Sequence, residues 1–163
     1  MLKFYISYFY QIRNMSSNML PVSTAMWDPK WFHDGKSEGY RYMDKNNVIN
    51  GVRFSHLCME SYRYEKLIKN KVDCGINCPG IEGCEFMKEY AKCIRAKNPD
   101  FQKFIAFCEG YVEFLNQKFN FGLDTIIFIV HEAPDRGCGE RPVIQDWFNE
   151  NGYELLEWSK DLC

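Results

Sequence analysis

Residues 126–152 read IIFIVHEAPDRGCGERPVIQDWFNENG, and this stretch predicts a strand, a loop and a helix. The continuous apolar run 126–130 is typical of a strand buried on both faces. Pro142 falls in a first helical turn, where proline is tolerated, and Asn151-Gly152 is a helix-ending pair. Ligands of open α/β folds bind at the carboxyl ends of strands, beside helix N-termini. The loop between the strand and the helix is therefore the expected place for chemistry.

Length and composition are those of a single globular domain, residues 1–163. The chain is 46% hydrophobic and 17% aromatic, and its net charge of −2 leaves no footprint of non-specific nucleic-acid binding. No segment approaches the roughly 18 apolar residues of a membrane span, and the aromatic N-terminal run lacks a signal-peptide cleavage site. We therefore expect a cytoplasmic protein without a membrane partner. Its eight cysteines are expected to be free thiols, metal ligands or reactive groups.

The remaining segments predict alternating strands and helices. A helix before and after a buried strand, with another strand behind, indicates a right-handed βαβ pattern and a three-layer α/β domain with a mostly parallel sheet. The connector 11–18 is short for a parallel crossover, so the direction of the second strand stays open. Asn98 is the predicted N-cap of the helix that Gly122 ends. Strands are predicted at 3–9, 20–25, 126–130 and 153–158, a short strand or extended loop at 52–59, and helices at 61–71, 85–97, 99–121 and 141–150.

Residues 56–84 form an irregular, cysteine-rich insertion, in which Cys74, Cys78 and Cys84 lie among glycines. Free cysteines usually prefer buried apolar sites, whereas a tetrahedral thiolate metal site explains three of them in a polar segment. Cys58 is the favoured fourth ligand and His56 its alternative, because two residues two apart share a face of an extended segment. Zinc is the expected metal, ahead of an iron–sulfur cluster. Packed free thiols and a redox pair are the other interpretations.

The loop after the buried strand places Glu132, Cys138 and Arg141 at a helix N-terminus. Free N–H groups and the helix dipole favour an anion there and lower the pKa of a thiol. Cys138 is then a nucleophile or a wall of an anion pocket, and Glu132 either orients Arg141 or acts as a general base. A simple ion pair between Glu132 and Arg141 that holds the loop is the alternative. The further candidate ligand-binding residues are Ser7, Arg13, Asn14, Arg136, Gly137 and Gly139.

The strand ending in Glu132, the Cys138 and Arg141 that open the last helix, and Trp147-Phe148 within it resemble the domain of unknown function 488 family. That family typically shows a Cys-His-Arg triplet at this helix, whereas Gly139-Glu140 separate the cysteine from the arginine here and the histidine is absent. The resemblance implies a Rossmann-like α/β fold with no established activity. The cysteine-rich middle looks like an insertion of a subgroup.

Two functions are compatible with these patterns. The first is binding of a nucleotide or another phosphate-bearing ligand at 126–152. The second is a non-enzymatic, metal-stapled module that binds a protein or, less favoured because of the low net charge, a nucleic acid. Whether the protein is an enzyme stays open.

Overall fold

The computed structural model describes residues 1–33, 51–59, 78–136 and 138–162. Cys74, Gly137 and the predicted helix 61–71 lie outside the described residues. Short 3-10 helices occur at Phe9–Asn14, Ser55–Leu57, Pro134–Arg136 and Lys160–Leu162. The strands are β1 (Lys3–Tyr8), β2 (Met19–Ser23), β3 (Val52–Arg53), β4 (Thr125–Val130) and β5 (Leu156–Glu157), and the helices are α1 (Lys30–His33), α2 (Glu85–Lys97), α3 (Phe101–Phe119) and α4 (Glu140–Glu150).

The five described strands form one parallel sheet in the order β3-β2-β4-β1-β5. This arrangement confirms the predicted α/β class with a parallel sheet. It also answers the question left open about the second strand, because β1 and β2 both lie parallel to β4 from opposite sides. The connector between them can be short because a 3-10 helix rises about 2 Å per residue, more than an α-helix.

The central strand β4 is buried along its whole length, as the apolar run predicted. Ile126, Phe128 and Val130 face the larger core, to which α2, α3 and α4 contribute their apolar sides. Ile127 and Ile129 face a smaller core. The smaller core is completed by Phe9, Ile12, Met15, Ala25, Phe32 and Trp158. Both faces of the strand are therefore covered, by long helices on one side and by short segments on the other.

Several element boundaries differ from the predictions, among them the ends of β1 at Tyr8 and of β2 at Ser23, one and two residues early. Asp100, not Asn98, caps α3, because its carboxylate accepts the N–H groups of Gln102 and Lys103. Asn98 instead ends α2, where its side-chain amide donates to the Ile94 carbonyl at 2.8 Å. The helix α3 ends before Gly122, because Asn120 adopts the left-handed conformation at φ 55°. The last strand, β5, is also shorter than the predicted 153–158.

Helices α2 and α4 lie side by side and run in the same direction. At their C-terminal ends, Arg95 of α2 pairs with Glu150 of α4 at 2.6 Å and with Asp146 at 3.5 Å. At their N-terminal ends, the sulfur of Cys84, which is the N-cap of α2, lies 3.7 Å from that of Cys138, just before α4. Two helix N-termini therefore meet at one pair of thiols, beyond the carboxyl end of β4. No helix in the described part of the chain is long and apolar enough to cross a membrane.

Candidate metal centre

Three cysteine thiols from two distant segments come together at this end of the molecule. The sulfur atoms of Cys78, Cys84 and Cys138 all lie within 4.8 Å of one another. A tetrahedral thiolate site with metal–sulfur bonds of about 2.3 Å places its sulfurs about 3.8 Å apart. The 3.7 Å between Cys84 and Cys138 matches that spacing. The arrangement therefore has the donor type and the approximate size that a thiophilic metal ion requires.

A tight turn brings Cys78 and Cys84 to the same place. The backbone N–H groups of Gly83 and Cys84 both donate to the carbonyl of Gly80, at 3.1 and 2.9 Å. Gly80 has φ +88°, a conformation that residues with a side chain rarely adopt. A Cβ at Gly83 would lie 2.6 Å from the ring of Pro79. The glycines that the sequence shows here thus close the turn that delivers two of the three sulfurs.

Cys138 is delivered by the loop between β4 and α4. Gly139, the N-cap of α4, has φ +136°, and a Cβ there would lie 2.7 Å from a carboxylate oxygen of Glu132. The backbone can approach the end of β4 this closely only because the position is glycine. This close approach places Cys138 beside Cys84.

The surroundings of the Cys138 thiol oppose its ionisation in the absence of a cation. Burial raises the pKa of the Cys138 thiol well above its usual range, and hydrogen bonding with Cys78 and Cys84 raises it further. The N-termini of α2 and α4 act in the opposite sense, because their unpaired N–H groups favour negative charge. A metal cation between the sulfurs would reverse the balance, since a coordinated thiol loses its proton.

A second buried group of charges lies next to this cluster. Burial and the neighbouring Glu132 carboxyl raise the pKa of Glu140 to about 8, and the Arg141 guanidinium only partly offsets this. One carboxylate oxygen of Glu132 is buried and has no hydrogen-bond partner among the described residues. The start of α4 therefore brings the Glu140 carboxyl group next to the Glu132 carboxyl group of the preceding loop, at the place where the sequence led us to expect an anion.

Arg141 pairs with Glu157 rather than with Glu132, which corrects the ion pair predicted from the sequence. Its Nε lies 2.7 Å from a Glu157 carboxylate oxygen. The reason is topological: β5 adds to the sheet beside β1 and brings Glu157 to the start of α4. The Nη2 of Arg141 is buried and has no partner in the described part of the chain. Its guanidinium also lies 5.9 Å from the centre of the Tyr8 ring.

Of the ligand-binding residues predicted on the early segment, Arg13 and Asn14 make local contacts, whereas Ser7 contacts the far end of the chain. The Ser7 hydroxyl donates to the Trp158 carbonyl at 2.7 Å, which ties β1 to the chain after β5. The Arg13 side chain donates to the Tyr10 carbonyl, and its guanidinium lies 4.0 Å from the centre of the Tyr10 ring. Asn14 donates to the Gln11 side chain at 3.0 Å. These contacts are structural. The side chain of Arg136, another predicted ligand-binding residue, lies outside the described part of the chain.

Cys58, the predicted fourth ligand, lies apart from the three thiols. Its sulfur donates to the carbonyls of Phe54 and Ala25, at 3.3 and 3.6 Å, and accepts from the Arg53 Nε at 3.4 Å. Burial raises its pKa. His56, the alternative ligand, packs its ring 4.5 Å from that of Phe107. The short 3-10 helix Ser55–Leu57 replaces the extended segment on which the predicted pair would share a face.

The sequence pointed to Cys138 as a nucleophile or pocket wall and missed it as a member of this cluster. Cys84 and Cys138 are 54 positions apart in the sequence, whereas spacing rules for metal ligands act over short distances. The available signal was indirect: a cysteine beside a glycine at a helix N-terminus, with two further cysteines just before another helix.

Fold and site together define the class: an α/β protein with a parallel sheet and a three-cysteine cluster that could hold a metal ion. Comparisons of the chain with protein-family models, with curated proteins and with solved structures gave no match. The resemblance to the domain of unknown function 488 family, and the Rossmann-like fold that it implies, therefore stay predictions.

Proposed function

We propose that this protein binds a thiophilic metal ion, foremost zinc, through Cys78, Cys84 and Cys138. The observation that carries the proposal is the convergence of three sulfurs within 4.8 Å from two segments that are far apart in sequence. The ion fastens the turn before α2 to the loop before α4, and so closes the end of the molecule where β4 ends. The cytoplasmic location predicted from the sequence agrees with this use of thiols, because a reducing compartment keeps them unpaired.

The number of ligands decides between a structural and a catalytic role. A structural zinc site is closed by four protein ligands, whereas a catalytic site keeps one position for water or substrate. Cys74, which the sequence predicts as a ligand, is not among the described residues. Cys74→Ser distinguishes the two roles: a loss of zinc supports a closed four-thiolate site, and unchanged zinc supports three thiolates with an open position. The metal-stapled, partner-binding module predicted from the sequence corresponds to the closed site with four protein ligands.

Elemental analysis of the full chain, purified without chelator, tests the proposal. We expect about one zinc ion per chain in the wild type and a large loss in Cys138→Ser, since three thiolates are needed around the ion. Cys108→Ala is the matched control, because Cys108 is fully buried in the larger core and lies outside the cluster. Equal zinc in Cys138→Ser and wild type contradicts the proposal. Iron with a visible chromophore points to an iron–sulfur cluster instead.

A second candidate function is the binding of a phosphate-bearing ligand at Arg141. The observation that favours it is the buried Nη2 of Arg141 without a hydrogen-bond partner, at the N-terminus of an 11-residue helix. The Glu157 carboxylate acts against it, because it already pairs with the Arg141 guanidinium.

Thermal shift measurements with inorganic phosphate and with a nucleoside triphosphate test this second function. We expect a rise of several degrees in the wild type at saturating ligand. Arg141→Lys keeps a positive charge beside Glu157 but loses the planar guanidinium, so the rise should disappear in that variant. No shift in the wild type with either compound rejects the phosphate-binding function.

A further inference from the structure

We infer that Cys84 and Cys138 form a disulfide when the protein meets a peroxide, and that this bond releases the metal ion. The inference rests on the proposed metal site and adds a regulation of it. Its basis is the 3.7 Å between the two sulfurs, which is the contact that a metal ion and a disulfide would both use.

The geometry allows the bond with a small movement. A disulfide has an S–S length of about 2.05 Å, so the two sulfurs need to approach by less than 2 Å. Cys138 lies on a loop that precedes Gly139, whereas Cys84 is held as the N-cap of α2. We therefore expect the loop before α4 to make most of the movement.

The exposure of the two thiols sets the order of events. Cys138 is half-buried, whereas Cys84 is only 3% exposed. A peroxide can therefore reach the sulfur of Cys138 first, and the Cys84 sulfur attacks from the protein side. Cys84 thus takes the role that a resolving cysteine has next to an exposed, oxidised one.

The chemistry balances with hydrogen peroxide as the oxidant. Cys138 is a thiolate while it binds the metal ion. This thiolate attacks one peroxide oxygen, the O–O bond breaks, and the hydroxide that leaves takes up a proton to give water. Cys138 is then a sulfenic acid. The Cys84 thiolate attacks its sulfur, the S–O bond breaks, and the second hydroxide leaves as water after protonation. Two thiolates and one peroxide, with two protons, give one disulfide and two waters.

The disulfide removes two of the three sulfur ligands at once. Thiolates bind a metal ion strongly because they carry negative charge, which the sulfurs of a disulfide have lost. Cys78, even together with a Cys74 ligand, leaves too few thiolates to retain the ion, so oxidation and metal release are coupled. Reduction restores both thiolates and the site, which makes the change reversible.

Other described cysteines provide an internal comparison. Cys93 and Cys108 are 2% and 0% exposed, and Cys58 donates to two backbone carbonyls. None of these three belongs to the three-thiol cluster. We expect them to stay reduced at peroxide levels that oxidise Cys138.

The experiment uses the full chain loaded with zinc and treated with an excess of hydrogen peroxide. Zinc release is followed with a chromogenic chelator, and disulfides are located by mass spectrometry of peptides after the free thiols are blocked. We expect one crosslinked peptide pair that contains Cys84 and Cys138, release of the zinc, and rebinding after treatment with dithiothreitol. Cys108→Ala should behave as the wild type does.

Two results overturn the inference. One is a disulfide from Cys138 to a cysteine other than Cys84. The other is release of zinc with Cys138 oxidised to sulfinic acid and no crosslink. Cys78→Ser provides the second test: its chain should still form the Cys84–Cys138 crosslink, because Cys78 takes no part in the bond. Zinc content before peroxide is measured separately, so a failure of the metal site itself is seen first and is not confused with a failure of the disulfide.

Discussion

The two ends of the paired helices α2 and α4 differ in the side chains that lie beside the helix dipoles. Parallel helices bring like ends of their dipoles together. Negative charge is therefore favourable at the two N-termini, and positive charge at the two C-termini. At the C-terminal ends, Arg95 sits between Glu150 and Asp146, with side chains that are one third to one half exposed. At the N-terminal ends, Cys84 and Glu140 are buried, whereas Cys78, Cys138 and Glu132 are half-buried.

This difference in burial indicates which end carries function. Water solvates exposed charges whether or not they are paired, so exposed ion pairs contribute little to stability. The C-terminal end of the helix pair therefore needs no further partner. Buried ionisable groups are costly unless they are paired. Among the described residues, the cation at the start of α4 is Arg141, and it already pairs with Glu157. A bound metal cation is the partner that would complete that end.

Of the changes that test this comparison, removal of the metal has the largest expected effect on the stability of the protein. A ligand present at a thousand times its dissociation constant stabilises the folded protein by about 4 kcal/mol. We therefore expect a chelator to lower the thermal unfolding temperature of the zinc-loaded protein clearly, as measured by circular dichroism. Cys138→Ser should already have the lower temperature and should not respond to chelator. An equal response in that variant would show that the ion binds elsewhere.

Glu140→Gln tests the buried carboxyl group at the same end, in metal-free protein. The pKa of Glu140 is raised from 4.5 to about 8, so the folded state binds the proton more tightly than the unfolded state does. The stability that this tighter proton binding contributes is fully present below pH 4.5 and is lost as the pH rises through 8. We expect the variant to be more stable than the wild type at pH 9, by roughly 2 kcal/mol or more.

Urea unfolding at pH 5 and at pH 9 measures this effect of Glu140. Asp146→Asn is the matched control, because Asp146 lies on the same helix with a 48% exposed side chain. The control should lose stability between pH 5 and pH 9 as the wild type does, because it retains Glu140, whereas Glu140→Gln should lose less. If both variants show the same pH dependence as the wild type, the carboxyl pair at the start of α4 does not have the assigned protonation.

Gly139→Ala tests the close approach that positions Cys138. A Cβ would lie 2.7 Å from the Glu132 carboxylate, and φ +136° is strained for alanine. We expect a loss of about 1–3 kcal/mol in the free energy of unfolding, together with weaker zinc binding. Gly110→Ala in α3 is the control, because nothing lies within 4 Å of its added Cβ. That substitution should stabilise the protein by up to about 1 kcal/mol.

Arg95→Ala should have the smallest effect, since it breaks only the exposed end of the helix pair. We expect a loss below about 1 kcal/mol in the free energy of unfolding, and less in high salt. Zinc content should not change. A loss as large as that caused by chelator would mean that the two ends are equally important, and the distinction drawn above would fail.

The sequence by itself determined the elements whose signals are local. The apolar run 126–130 predicted the buried strand because a strand covered on both faces needs apolar side chains at every position. Helix α2 was predicted with its observed bounds, 85–97, from apolar residues at helical spacing. Pro142 and Asn151-Gly152 likewise placed α4. The cap of α3 was misplaced because Asn98 and Asp100 are both good caps, and the backbone geometry decides between them.

Only the tertiary structure decided the site. Whether β2 runs parallel depends on its pairing with β4, about a hundred residues later in the chain. Arg141 meets Glu157 because β5 adds beside β1, and Cys138 meets Cys78 and Cys84 because α2 and α4 pack side by side. Local propensity extends over a few residues, whereas these contacts depend on how separate elements are arranged in space. The cysteines were visible in the sequence as candidates, and the fold selected which of them come together.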